Sequence, residues 1–292
     1  MEAAIDALDA AFSREDPSLV APLRNSLATP AGTLLTMPAA GDAGVGIKLV
    51  TLSEFNPQRN LPFVHAVYVL FDARTQEPEA VIDGTELTAL RTAALSGFAT
   101  RHLANPDASR LVLFGAGVQA TAHLDAMLAV RPISEVTVVG RSKQRIQALV
   151  ERARKLGLDA RAGSPSDVAH ADLICTCTTS AVSVLSGHDV ADGTHINAIG
   201  AFLPHQRELD TETIRRAKVV VETREVALAE AGDVLIPIQE GVIETSHVVA
   251  DLAAMARGAP VRTDPNDITA FVSVGFSFED LVVARAAMDA LH

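Results

Sequence analysis

The hydrophobic and polar positions of the chain repeat with helical spacing at its start and with strand-like spacing soon after. Ile5, Leu8 and Phe12 recur at helical spacing and predict an amphipathic helix over residues 1–12. Short apolar runs then follow one another across turns that are too short to hold a crossover helix, which predicts an antiparallel sheet. The predicted strands cover residues 33–37, 45–52, 64–72 and 79–82.

A long helix is predicted after these strands, beginning at a cap in Asp83-Gly-Thr85 and ending near Leu103. From Arg110 the pattern changes to alternating strands and helices, which is typical of a parallel, doubly wound sheet. The sequence therefore predicts an α/β fold class, with a doubly wound parallel-sheet domain and a second, α+β domain. The strands predicted here cover residues 111–114, 135–139, 158–162, 173–176, 195–199, 218–221 and 268–272, and the helical segments cover residues 118–130, 143–156, 246–257 and 278–291.

The composition is that of a protein with a large apolar core. A chain of 292 residues with 48% hydrophobic side chains most naturally forms two domains. Its formal charge of -12 disfavours binding to nucleic acid or to an anionic membrane surface. No apolar run approaches the ~20 residues that span a bilayer, and the first residues lack the pattern of a signal peptide. Because Cys175 and Cys177 share one strand-like run, they are expected to be reduced thiols, and we predict a cytoplasmic protein.

A glycine-rich turn follows the first strand of the alternating region. The apolar strand 111–114 runs into Gly115-x-Gly117-x-x-Ala120, and a helical pattern begins directly afterwards. This order of elements lets a pyrophosphate approach the backbone at a helix N-terminus, whereas a βα turn without a ligand is the alternative. We therefore predict a dinucleotide site, whose expected binding residues in this turn are Gly115, Ala116, Gly117, Val118, Gln119 and Ala120.

The second strand of the alternating region ends in a basic turn that contains Arg141, Ser142 and Lys143. An acidic side chain at this place would hold the ribose hydroxyls of NAD, and a guanidinium cannot accept those hydrogen bonds. Arg141 can instead bind the 2′-phosphate of NADP, with Ser142 and Lys143 in support. The turn therefore favours NADPH as cofactor over NADH, and a solvated basic turn is the alternative interpretation.

Arg91 lies on the apolar side of the long predicted helix, with Leu87 four residues before it and Leu95 four residues after it. An unpaired charge on that face would cost several kcal/mol, so the guanidinium requires an anion. A substrate carboxylate held by the planar fork of the side chain is the favoured partner. A structural pair with a buried acid, such as Glu86 or Asp83, is the alternative.

Lys48 lies in the predicted strand 45–52, on the opposite face from Val45, Ile47 and Leu49. A lysine among apolar neighbours loses hydration, which lowers the pKa of its amine and suits it to proton transfer. A solvated lysine of the sheet is the alternative. The nine histidines show no spacing of metal ligands, so no metal site is expected.

Seven segments, taken in chain order, carry a resemblance to a known family. They are Leu34-Leu-Thr-Met-Pro-Ala39, Gly46-Ile-Lys-Leu-Val50, Ala89-Leu-Arg-Thr-Ala-Ala94, Gly115-Ala-Gly-Val-Gln-Ala120, Thr194-His-Ile-Asn-Ala-Ile-Gly200, Arg207-Glu-Leu-Asp210 and Ser273-Val-Gly-Phe-Ser-Phe-Glu-Asp280. Together they resemble the ornithine cyclodeaminase/μ-crystallin family. The resemblance implies a Rossmann-type NAD(P)-binding domain over residues 106–273, inserted into a substrate-binding and dimerisation domain formed by residues 1–105 and 274–292.

The same resemblance implies an active site. Lys48 and Arg91 fall on catalytic, substrate-binding positions of the family, and Arg24 matches a second carboxylate-binding arginine. Ala201 and Phe202 stand where ornithine cyclodeaminases carry an aspartate for the distal amine of the substrate. In this respect the chain is similar to the ketimine reductase branch of the family.

This branch implies a reductase that uses NADPH to convert Δ1-pyrroline-2-carboxylate to L-proline, Δ1-piperideine-2-carboxylate to L-pipecolate, or both. The expected partners are the small cyclic imino acid and a second copy of the chain in a homodimer. An amino-acid dehydrogenase like alanine dehydrogenase, or an ornithine cyclodeaminase, is the alternative enzyme. A non-catalytic NADP-dependent binding protein of the μ-crystallin type is the alternative from another class.

Overall fold

The computed structural model describes residues 1–59 and 61–291 of the chain. The strands within these residues form one antiparallel sheet and one parallel sheet. The helices are α1 (Glu2–Arg14), α2 (Pro17–Val20), α3 (Gly84–Leu103), α4 (Val118–Val130), α5 (Lys143–Lys155), α6 (Thr211–Arg216), α7 (Arg224–Glu230), α8 (Gly232–Gln239), α9 (Leu252–Ala256) and α10 (Ser277–Asp289). The strands are β1 (Asn25–Thr29), β2 (Gly32–Gly41), β3 (Gly44–Leu52), β4 (Val64–Phe71), β5 (Pro78–Asp83), β6 (Arg110–Phe114), β7 (Glu135–Val139), β8 (Asp159–Ala162), β9 (Leu173–Thr176), β10 (His195–Ala198), β11 (Lys218–Val221), β12 (Val248–Asp251) and β13 (Thr269–Val272). The α/β fold class predicted from the sequence is confirmed.

The chain divides into two compact units. The antiparallel-sheet unit consists of Ala3–Thr92 and Gly275–His292, and the parallel-sheet unit consists of Met1–Glu2 and Ala93–Val274. The boundary between them falls inside α3, whereas the boundary predicted from the sequence is at residue 106, in the linker after that helix. The assignment of substrate binding and dimerisation to one of the units stays a prediction.

The antiparallel-sheet unit contains a sheet in which neighbouring strands are consecutive in the chain, in the order β1-β2-β3-β4-β5. Turns this short leave no room for a crossover, so the strands pair antiparallel. Helix α10 packs across β2, β3 and β4 and covers one face of the sheet. Phe12 of α1 meets Phe278 of α10 edge to face, with ring centroids 5.1 Å apart.

The parallel-sheet unit contains strands in the order β12-β11-β13-β10-β9-β6-β7-β8. The first strand of this sheet along the chain is β6, in the middle. The chain then moves outward through β7 and β8 and returns to β9 on the other side of β6. In doubly wound sheets, ligands bind at the carboxyl ends of the strands beside such a reversal. The loops after β6 and β9 therefore mark the predicted ligand site of this unit.

One predicted element is wrong, and several short ones were missed. Residues 246–257 are not one helical stretch, because the edge strand β12 lies within them, paired with β11, and only α9 follows as a helix. Val248 and Val249 are β-branched and favour the strand, where pairing satisfies their backbone. The elements that were not predicted are β1, whose residues are all exposed, and the short helices α2, α6, α7 and α8. No helix in the described part of the chain is long and apolar enough to cross a membrane.

Candidate active site

Lys48 lies in the middle of the antiparallel sheet, on the face that α10 covers. Residues alternate between the two faces of a strand, and the side of β3 that carries Lys48 also carries the buried Val50. Lys48 is 1% exposed, so its side chain is shielded from water, as its apolar neighbours in the sequence predict.

Arg91 lies on the inward face of α3, where Leu87 and Leu95 are also buried. Its side chain requires anionic partners, and the structure supplies two. Nη1 of Arg91 donates to Oε2 of Glu279, and Nε lies 3.1 Å from Oδ1 of Asp280. The partners suggested from the sequence are wrong: Asp83 instead caps α3 by accepting from the backbone N–H groups of Thr85 and Glu86, and Glu86 itself is exposed.

The two acids are consecutive residues in the first turn of α10, and both are fully buried. Oδ1 of Asp280 also accepts from Nζ of Lys48 at 2.8 Å, so one carboxylate oxygen lies beside both cations. Oε1 of Glu279 accepts from the backbone N–H of Phe276 at 3.1 Å. The partial positive charge at the start of the helix further stabilises both carboxylates. We name these four residues, Lys48, Arg91, Glu279 and Asp280, the charge cluster.

Two further residues complete the surroundings of the charge cluster. Gly275 has a φ of +83°, and a Cβ there would lie 2.8 Å from Nη2 of Arg91, so the glycine leaves room for the guanidinium. Tyr68 stands directly across from Lys48 in the β3–β4 pair and is fully buried. The Tyr68 hydroxyl and Oδ2 of Asp280 have no hydrogen-bond partner among the described residues, which is unusual for buried polar atoms.

Burial and the charge cluster together change the proton affinity of Lys48 and of the neighbouring Tyr68. Burial lowers the pKa of Lys48 to about 8, and Arg91 adds to this effect, whereas Asp280 and Glu279 oppose it. Burial also raises the pKa of Tyr68 far above its ordinary value, and the charge of Asp280 adds to this effect. Lys48 therefore changes charge close to neutral pH, and Tyr68 stays protonated.

Arg24 precedes the edge strand β1 and is half-buried. Asn25 pairs with Thr36, so one residue earlier Arg24 comes into line with Met37, which pairs with Lys48. If this register is extended by one residue beyond β1, Arg24 falls in the same cross-strand row as Lys48, two strands away, which is about 10 Å at the usual strand spacing. Its role as a second carboxylate-binding arginine stays a prediction.

The glycine-rich turn of the parallel-sheet unit has the geometry that a pyrophosphate requires. Gly115 has a φ of +104°, which side chains rarely adopt, and a Cβ there would lie 2.5 Å from the carbonyl oxygen of Cys177. A Cβ on Gly117 would meet nothing within 4 Å, and Gly117 directly precedes α4, whose first N–H groups can receive phosphate oxygens. The methyl group of Ala120 is fully buried in the core. The turn therefore fits a dinucleotide. The other predicted binding residues, Ala116, Val118 and Gln119, belong to the same segment.

The two glycines should respond differently to substitution. Gly117→Ala should weaken the binding of NADPH and NADH by a factor on the order of ten or more, because the added methyl group would occupy the position of the phosphate. The melting temperature should stay nearly unchanged, because a Cβ at this position meets no protein atom within 4 Å. Gly115→Ala should lower the melting temperature, because its φ and the Cys177 carbonyl both oppose a side chain. Fluorescence titration of the cofactor and thermal unfolding of both variants measure this. Normal cofactor binding by Gly117→Ala would contradict the assignment of the turn.

Arg141, Ser142 and Lys143 follow β7 and are exposed. The Ser142 hydroxyl caps α5 by accepting from the N–H of Arg145 at 3.4 Å. The basic side chains of Arg141 and Lys143 are thus presented at the carboxyl end of the strand next to β6. This is the place where the adenosine ribose lies in dinucleotide-binding sheets of this type.

Glu208 was not selected from the sequence, although it ties together the loops at the reversal of the sheet. Its carboxylate accepts from the backbone N–H of Thr178 at 2.6 Å and of Gly200 at 2.7 Å, which follow β9 and β10. Glu208 is fully buried, and burial raises its pKa above the ordinary value. Asp233 in turn accepts from the backbone N–H of Glu208 at 2.9 Å. A buried acid that holds two loops has no local sequence signal beyond its position in the segment Arg207–Asp210.

Comparison with known proteins places these features in a family. The family model of the ornithine cyclodeaminase/mu-crystallin family matches residues 1–292. The chain is 37% identical over 275 residues to Delta(1)-pyrroline-2-carboxylate reductase of Bacillus cereus, covering 91% of this chain and 84% of the relative.

Solved structures agree with this match. Thermococcus litoralis Delta(1)-pyrroline-2-carboxylate reductase, in complex with NADH and L-proline, is similar with a TM-score of 0.92 and 35% identity, covering 99% of this chain and 92% of that one. An archaeal alanine dehydrogenase dimer with bound NAD is similar with a TM-score of 0.93 and 32% identity, covering 99% and 91% of the two chains. The protein belongs to the ornithine cyclodeaminase/mu-crystallin family.

Proposed function

We propose that the protein is a Δ1-pyrroline-2-carboxylate reductase, which reduces the cyclic ketimine carboxylate to L-proline with a nicotinamide dinucleotide. The six-membered Δ1-piperideine-2-carboxylate, which gives L-pipecolate, is a second proposed substrate because it differs by one ring methylene. Similarity to reductases of this name over most of the chain supports the reaction class. The charge cluster supports the substrate class.

The main support for this substrate class is the balance of charge in the charge cluster. Two buried cations and two buried acids cancel formally, so the cluster suits a substrate that is itself neutral overall. A protonated ketimine carboxylate is such a zwitterion, with a carboxylate one carbon away from its positive nitrogen. Its N–H can donate to Oδ2 of Asp280, which has no hydrogen-bond partner within the described part of the chain, while its carboxylate is attracted by Arg91 and Lys48.

Each residue of the site then has a defined task. Arg91, with Arg24 in support, fixes the orientation of the carboxylate, and such orientation contributes several kcal/mol to lowering a barrier. Lys48 supplies a second positive charge and a proton that can be held near the imine nitrogen. The turn from Gly115 to Ala120 holds the dinucleotide, which when bound supplies the hydride.

The proposed cofactor is NADPH, with NADH as a poorer substitute. Arg141 and Lys143 present two positive charges where the 2′-phosphate of NADP would lie, and the described turn has no acid to hold the ribose hydroxyls of NAD. A guanidinium binds a phosphate through two parallel hydrogen bonds. This preference is specific to Arg141 and can be tested by substitution.

Ala201 and Phe202 favour a cyclic substrate over ornithine. They follow β10, where Ala201 is 1% exposed and Phe202 is half-buried. Neither can neutralise the distal amine of ornithine, whereas ring methylenes gain ~0.8 kcal/mol for each one buried against apolar groups. Incubation of the purified protein with ornithine and NAD should therefore yield no proline and no ammonia. Ammonia release at a rate comparable to ketimine reduction would assign the protein to the cyclodeaminases instead.

The proposed assembly is a homodimer formed through the outer face of the antiparallel sheet. On the face opposite Lys48, Pro38, Ile47, Val69 and Val81 form one apolar row across four strands, by direct register. Val81 is 74% exposed at the end of this row. A contiguous apolar face of this kind typically marks an interface, and a second copy of the chain can pair its own row with it.

Light scattering should accordingly give the mass of two chains for the wild-type protein. Val69→Asp should give the mass of one chain, because a charge in the middle of the apolar row cannot be buried. Val249→Asp is the matched control, since Val249 is 46% exposed on β12 of the other sheet and should remain dimeric. A wild-type protein that is monomeric at micromolar concentration would contradict the proposed dimer.

A further inference from the structure

Asp280 has a position in the charge cluster that its neighbour Glu279 does not share. Oδ1 of Asp280 lies 2.8 Å from Nζ of Lys48 and 3.1 Å from Nε of Arg91, so it bridges the two cations. Glu279 divides its carboxylate between Arg91 and the N–H of Phe276. Both acids therefore contact Arg91, but of the two only Asp280 forms an ion pair with Lys48 among the described residues.

Lys48 needs such a partner because its burial and the nearby Arg91 both oppose its charge. On β2 it faces the buried, apolar Met37, and on β4 it faces Tyr68, which is neutral. From α3 the guanidinium of Arg91 repels it. From α10 it meets the carboxylates of Asp280 and Glu279, of which Asp280 has the larger effect and the direct hydrogen bond.

We infer that Oδ1 of Asp280 positions Lys48, keeping its amine charged and holding it beside Arg91, a role separate from the substrate contact proposed for Oδ2, whereas Glu279 positions Arg91. Without the Asp280 carboxylate, burial and Arg91 together expel the proton from Lys48. A neutral Lys48 can neither attract the substrate carboxylate nor supply a proton. This inference rests on the proposed function for its catalytic consequence, but the charge of Lys48 can be measured without any substrate.

The chain contains four lysines, Lys48, Lys143, Lys155 and Lys218, so their side chains can be titrated individually by NMR. With carbon-13 at Cε, the chemical shift of each lysine reports its own protonation. Lys48 in the wild-type protein should titrate near pH 8. In Asp280→Asn its titration should move to lower pH by more than about one pH unit, and in the matched variant Glu279→Gln by clearly less.

Kinetics give a second readout on the same variants. The loss of kcat/KM in Asp280→Asn should shrink by about fivefold or more when the pH is lowered from 8 to 6, because Lys48 regains its proton. The loss in Glu279→Gln should appear in KM and stay nearly constant over this range. The protonation of the substrate itself is the same for all variants and cancels in the comparison.

The inference fails if Lys48 titrates at the same pH in Asp280→Asn and in the wild type while the other three lysines show a folded protein. Should Asp280→Asn not fold, Arg91→Gln tests the same balance with the opposite sign, and Lys48 should then titrate at higher pH. If Lys48 in Arg91→Gln titrated at the same pH as in the wild type, or at a lower pH, the inference would also be overturned. A protein that passes the titration but reduces no ketimine would leave Asp280 in this role and refute the proposed reductase function.

Discussion

Arg91→Lys should lower kcat/KM for ketimine reduction by about 100-fold or more. Lysine keeps the positive charge but loses the planar fork that can hold a carboxylate through two hydrogen bonds. The same change also disturbs the buried pairs with Glu279 and Asp280, so the melting temperature should fall as well. Steady-state kinetics with Δ1-pyrroline-2-carboxylate and thermal unfolding measure the two effects.

The matched control is Arg285→Lys, in the same unit of the chain. Arg285 binds both oxygens of Glu79 through its fork, but its side chain is 23% exposed and lies outside the charge cluster. Its replacement should leave kcat/KM within a few-fold of the wild type, on the scale expected for a partly exposed pair. If Arg91→Lys lowered the melting temperature but retained normal kcat/KM, Arg91 would be a structural residue alone.

Arg141→Asp should reverse the preference between the two cofactors. The substitution replaces a phosphate-binding guanidinium by a carboxylate that repels the 2′-phosphate and can accept from the ribose hydroxyls. We expect the ratio of kcat/KM for NADPH to that for NADH to fall by a factor on the order of 100. Measuring both cofactors at saturating imine gives this ratio directly.

Lys155→Asp provides the control for this second prediction. Lys155 is exposed at the far end of α5, and its replacement changes the net charge by the same amount as Arg141→Asp. A surface charge several turns away should leave the cofactor ratio nearly unchanged, because salt screens it. Equal losses with NADPH and NADH in Arg141→Asp would mean that Arg141 does not contact the 2′-phosphate.

The local pattern of apolar and polar residues was sufficient to predict most of the fold. All strands except β1 and β12 follow from apolar runs of strand length, and the turn at Gly115 follows from residues that are close in sequence. The burial of Lys48 and Arg91 was also predictable, because the period of a strand or a helix fixes the face on which a residue lies. The stretch 246–257 was not, since short segments of β-branched and small residues fit a strand and a helix equally well.

The partners of the two cations could not be found in this way. Glu279 is 188 positions from Arg91, and Asp280 is 232 positions from Lys48, so neither pair leaves a periodic signal. Acids in the first turn of a helix are common for reasons of the helix dipole alone, which hides a second role. Asp83 and Glu86 were reasonable candidates by proximity, but their place at the start of α3 commits Asp83 to the cap.

The reaction proposed for this protein is the reduction of a cyclic ketimine carboxylate. The most direct measurement follows the loss of NADPH absorbance with Δ1-pyrroline-2-carboxylate and determines the proline formed by chiral chromatography. We expect one L-proline for each NADPH oxidised, at a rate well above that with pyruvate and ammonia. No NADPH oxidation with either ketimine, together with rapid turnover of pyruvate and ammonia to alanine, would contradict it.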